Sequence, residues 1–136
     1  MAIDNIQYVN IPDSASSEEL PFDGVINYHG SFVGFEAKRL TDIKAFHPSM
    51  IRDSQIRGLN ASKLSGGTSV IGLFVWKPRT YNRMYFWEWD DFKKQTNNLT
   101  TSIKKNVYKD SEFCECKKRV FDLEKFYKFL DLHTTL

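Results

Sequence analysis

The chain has 136 residues, 41% hydrophobic and 26% charged, with a formal net charge of +2. That is the length of one domain, spanning 1–136, able to bury roughly 68% of its unfolded surface without a disulfide or a metal. The composition excludes a disordered chain, a fibrous repeat and a membrane protein built of spanning helices, since no run approaches ~18 apolar residues.

Met1-Ala2-Ile3-Asp4 has neither the basic start nor the apolar run of a signal peptide. The expectation is a cytoplasmic protein with no membrane partner. The charge is unevenly spread. Residues 1–30 hold no Lys or Arg and five acids: Asp4, Asp13, Glu18, Glu19 and Asp23. The remainder holds all nineteen basic residues against twelve acids. An acidic head on a basic body fits a polar or metal site beside a polyanion-binding surface, and equally an ordinary solvated surface.

In chain order, Ile6–Ile11 reads as a short strand and residues 12–22 as a loop. Gly24–Tyr28 and Ser31–Lys38 are two β-type runs joined by His29-Gly30, a two-residue hairpin turn. Residues 39–47 read as loop. Pro48–Leu64 is helical at its later end, with Ile51, Gln55, Leu59 and Ser62 on one face and Gly66-Gly67 as its stop. Ser69–Trp76 is a continuous apolar run, expected to be a central strand covered on both faces. Residues 77–82 turn into a partner strand, Arg83–Trp89, and Asp90–Thr96 forms a short helix. Residues 97–111 carry no clear pattern. Asp122 caps a last helix through Leu132, with Leu123, Phe126, Tyr127 and Leu130 inward. The fold class is α/β, with a mixed sheet flanked by helices. Cys114 and Cys116 read as reduced thiols, because adjacent C-x-C suits a disulfide poorly and lacks two further zinc ligands.

A hairpin centred on His29-Gly30 pairs residues whose numbers sum to 59. Asp23 then faces Glu36, and strand alternation places Lys38 beside Glu36. Opposed carboxylates repel unless a cation lies between them. Two carboxylates with a backbone carbonyl suit Mg²⁺, and a lysine beside them can stabilise a developing phosphate charge. The alternative is a surface hairpin with an ordinary Glu–Lys pair.

Asp23, followed after thirteen positions by Glu36-Ala37-Lys38, resembles the PD-(D/E)xK nuclease core and is most similar to the RecU-type Holliday-junction resolvases. The likeness runs from Phe22 to Leu132. It includes Phe46, Ser54-Gln55-Ile56, Leu59, Gly66-Gly67 with the apolar strand behind it, Ser102-Ile103 and the closing helix. The chain departs from the family pattern before Asp23, where the usual amino-terminal helix, its extra acid and a basic arm are absent. Glu18 and Glu19 are the candidates for that acid.

The resemblance implies a restriction-endonuclease-like core and a Mg²⁺-dependent endonuclease, Mn²⁺ substituting, that cuts four-way DNA junctions in recombination and repair. It implies metal ligation by Asp23, Glu36 and the Ala37 carbonyl, with Lys38 and Gln55 placing the attacking water. Gln55 is otherwise a buried amide with satisfied partners. Arg39, Lys44, Arg52, Arg57 and Lys63 are the candidate contacts to branched double-stranded DNA, or else they solvate a helix. A homodimer is implied, because two symmetric cuts need paired sites. The aromatic-rich strand Arg83–Trp89 is a candidate interface. The compact size points to a bacterial phage or mobile-element version. Two alternatives stand: a general, flap-cutting or restriction-type nuclease of the same superfamily, and a junction-binding recombination modulator that does not cleave.

Overall fold

The computed structural model describes residues 6–10 and 23–134. Seven strands form one sheet in sequence order: β1 (Ile6–Asn10), β2 (Gly24–Tyr28), β3 (Ser31–Thr41), β4 (Thr68–Lys77), β5 (Tyr81–Glu88), β6 (Phe113–Lys117) and β7 (Val120–Phe121). Among the described residues four α-helices accompany them, α1 (Asp53–Leu64), α2 (Trp89–Gln95), α3 (Lys105–Tyr108) and α4 (Glu124–His133), with a 3₁₀ turn at Pro48–Met50. Every strand pair is antiparallel except β3–β4. A parallel pair needs a crossover, and α1 supplies it. The sheet is therefore mixed, as the α/β reading expects.

The hairpin register follows the sequence arithmetic. Tyr28 pairs Ser31 and Gly24 pairs Phe35, with His29 and Gly30 both at positive φ in the turn. β4 lies in the middle of the sheet with Val70, Ile71, Leu73 and Val75 fully buried.

The sheet has two cores. On one face Ile71, Leu73, Val75, Tyr85 and Trp87 pack against Leu59 of α1, Phe92 of α2, and Phe46, Ile103 and Tyr108. On the other, Ile26, Tyr28, Val33, Phe35, Val70 and Met84 pack under Phe126 and Leu130 of α4. Strand alternation sorts the residues between the faces.

Several boundaries differ from the sequence reading. β3 continues through Thr41, because parallel pairing to β4 holds as far as Thr41↔Trp76. Trp89 opens α2 instead of closing β5, where the Glu88 carboxylate accepts from the Asp90 and Asp91 amides. Asp122 does accept from the Glu124 amide at 3.1 Å, although Leu123 is the capping residue of α4. Strands β6 and β7 lie where no strand was expected. The strand Arg83–Trp89 is interior: Tyr85, Trp87 and Trp89 all lie within the first core, so it offers no free aromatic face. Phe22 and the candidate acids Glu18 and Glu19 lie outside the described residues. No helix among the described residues is long and apolar enough to cross a membrane, which leaves β-barrels unaddressed.

Candidate active site

The site grows from the open end of the β2–β3 hairpin. Beyond the last rung, Gly24↔Phe35, side chains continue the ladder. The Asp23 amide donates to Glu36 Oε1 at 3.1 Å, and the Ala37 amide donates to Asp23 Oδ2 at 2.8 Å. Each acid is thus locked to the other's strand, and the two are brought together as the register requires.

Glu36, Lys38 and Leu40 alternate onto the face of the larger core, so the acids and the lysine do not sit on an open surface. Glu36 has no exposed area, and α1 lies over the same face. Its Oε2 meets Lys38 Nζ at 3.0 Å as an ion pair but finds no hydrogen-bond partner. The Glu36 carboxyl is pushed up to about 7. Burial is the main cause; the Lys38 ammonium pulls the other way, and the Asp23 carboxylate adds to the rise.

Lys38 is held from a second side. Its Nζ donates to Gln55 Oε1 at 2.9 Å, and the same oxygen accepts from the Arg52 amide at 2.9 Å. Gln55 is the third residue of α1, where a glutamine side chain reaches back to the amide of the capping residue. One amide oxygen therefore closes the helix start and aims the lysine. Arginine is not among the residues that usually mark a helix start, so this contact left no signal in the sequence.

Asp23, Glu36, Lys38 and Gln55 thus form one constellation. Among the described residues no three His, Cys, Asp or Glu side chains gather to hold a metal. What the site offers a hard cation is two carboxylates, one with a buried oxygen lacking a hydrogen bond. Oxygen donors of that kind suit Mg²⁺, which takes few protein ligands and keeps waters. The residues fit the ion.

The basic residues singled out in the sequence divide between the faces. Lys44, Arg52 and Arg57 are exposed on the loop before α1 and on α1 itself. Arg39 projects to the opposite face, in register with Phe74 and near Trp76. Lys63 pairs with Glu88 and with Asp90, the latter at 3.2 Å. Cys114 is buried and Cys116 half-buried, both free, with burial raising the Cys114 thiol.

A family model described as recombination protein U, RecU, matches residues 4–131. The chain belongs to the RecU family. Membership of the RecU family makes it a Holliday-junction resolvase, a nuclease of recombination. No curated protein matches the chain. Among solved structures, Hjc, a Holliday junction resolvase from the archaeal hyperthermophile Archaeoglobus fulgidus, is similar at 13% identity with a TM-score of 0.48. That similarity covers 77% of this chain and 79% of the other.

Proposed function

We propose that this RecU protein is a Mg²⁺-dependent endonuclease that resolves four-way DNA junctions by water attack on a phosphodiester. The observation that carries the reading is the buried Glu36 carboxylate, joined to Asp23 through the backbone and to Lys38 by an ion pair, with Gln55 behind the lysine. Asp23 and Glu36, with the Ala37 carbonyl, would hold the cation. When bound, Mg²⁺ offsets phosphate charge and lowers the pKa of water.

The protein's own groups do the rest. Lys38, 14% exposed along its side chain, presents a fixed positive charge at the edge of the site. A charge fixed before the reaction stabilises the developing oxyanion without reorganisation. Gln55 holds that charge in line, and Lys44, Arg52 and Arg57 lie on the elements beside it to engage the DNA backbone. A pair of two-fold related sites in a homodimer would supply the symmetric cuts.

The test is cleavage of four-way, flap and linear duplex DNA with Mg²⁺, by the wild type and by Asp23→Asn and Glu36→Gln. The expected result is preferred junction cleavage that both substitutions abolish, with DNA binding retained or strengthened as negative charge leaves the site. Wild-type rates in both variants would overturn the site. Equal cleavage of all three substrates would make it a general nuclease, and tight junction binding without cleavage a non-cutting modulator.

A further inference from the structure

We infer that the segment around α3 is a second DNA-backbone contact surface, built from Lys104, Lys105 and Lys109 together with Lys44. The inference rests on the nuclease reading for its partner, and it brings in three lysines from a segment with no readable pattern.

The geometry comes from two ties. Phe46 and Ile103 form an isolated antiparallel bridge, each amide donating to the other's carbonyl at 2.8 and 2.9 Å. The Tyr108 hydroxyl donates to the Lys44 carbonyl and accepts from the Lys44 amide. Both ends of Ile103–Tyr108 are thus fastened to the loop joining β3 to α1. Phe46, Ile103 and Tyr108 are buried in the core that covers the Glu36 and Lys38 face. The segment is therefore fixed to the catalytic layer.

The charges point outward. Lys44, Lys104, Lys105 and Lys109 are all exposed, and none makes an ion pair among the described residues. Lys63, Lys77, Lys93 and Lys128, by contrast, are each matched to an acid. The acids nearest in sequence are Asp110 and Glu112, both exposed, and Asp42, which is engaged by Tyr81 and Lys77. Val107, 62% exposed, lies between the lysines. Unpaired amines on a rigid support can neutralise duplex phosphates and need no sequence readout.

The experiment measures binding of labelled four-way junction and linear duplex, by fluorescence anisotropy, across a salt series in EDTA. Four proteins are compared: wild type, the triple variant Lys104→Ala/Lys105→Ala/Lys109→Ala, Lys44→Ala, and a control removing three charges from the β6–β7 turn, Lys117→Ala/Lys118→Ala/Arg119→Ala. The triple variant should bind roughly tenfold or more weakly, and its log–log salt slope should flatten by about 0.9 for each phosphate no longer neutralised. Lys44→Ala should show a smaller loss of the same kind. The control should stay near wild type, and the triple variant should keep the wild-type melting temperature, so that its loss is not one of folding. Unchanged affinity and slope in the triple variant, or an equal loss in the control, would overturn the inference. Wild type that binds DNA in EDTA but leaves it uncut once Mg²⁺ is supplied would sink the nuclease reading while leaving this surface measurable. Wild type that binds neither DNA would sink both.

Discussion

Lys38 is fastened by two partners of different kinds, an ion pair with the Glu36 carboxylate at 3.0 Å and a hydrogen bond to the Gln55 amide oxygen at 2.9 Å. Lys38→Ala is expected to lower the cleavage rate at saturating DNA by about two to three orders of magnitude, the scale of losing one transition-state stabiliser, with Mg²⁺ affinity little changed. Calorimetric titration of Mg²⁺ checks the second half; lost metal binding would make Lys38 a prop of the hairpin. Glu36 gives a pH prediction for the metal-free protein. Folded, it holds its proton to about pH 7; unfolded, to about the ordinary value of 4.5. The stability that protonation contributes is fully present below the lower value. It is lost as pH rises to the upper one, for a total of about 3 kcal/mol. Urea midpoints in EDTA should fall between pH 5 and pH 7.5, and Glu36→Gln should flatten that fall. An unchanged fall in the variant would assign the effect to another group.

At the scale of elements, β3 carries Glu36 and Lys38, and its packing beside β4 leaves little slack. A Cβ at Gly72 would collide with the Phe35 ring. Gly72→Ala should therefore cost about 1–3 kcal/mol in a denaturant titration. Pairing it with Phe35→Leu should recover part of the loss, because the side chain then yields the space. No recovery would place the cost in the strand backbone. Phe46, fully buried between Trp87 and Phe92, anchors the loop before α1. Phe46→Ala should cost about 3–5 kcal/mol and should weaken DNA binding through Lys44 as well. Thermal melting together with the anisotropy assay separates a loosened loop from global unfolding.

At the scale of the whole molecule, α1 packs on one face of the sheet and α4 on the other, and each buries a core within one chain. The aromatics of β5 are spent inside, so a two-fold partner must find other surface. The homodimer should appear in sedimentation at micromolar concentration, and linear duplex at equal phosphate should compete poorly with a junction. A monomer, or equal competition, would favour a general nuclease.

The reach of the sequence follows from how local each signal is. The hairpin register, the pairing of Asp23 with Glu36 and the place of Lys38 needed only a two-residue turn and a period of two. Gln55 followed from helical spacing behind a recognisable stop at Gly66-Gly67. Strands β6 and β7 were hidden because their turn, Lys118-Arg119, takes positive φ at both positions without the Asn or Gly that usually marks such a turn. Residues 97–111 were hidden likewise: Asn97, Asn98 and Leu99 are left-handed in succession around Thr96, whose hydroxyl and carbonyl gather the Leu99, Thr100 and Thr101 amides. The burial of Glu36, and with it the raised carboxyl, depended on α1 crossing that face. The sequence by itself determined which residues could meet across one turn or along one helix. Only the tertiary structure decided which face of the sheet was covered, which lysines met acids, and that Lys104, Lys105 and Lys109 stand beside the loop carrying Lys44, because those relations join segments distant along the chain.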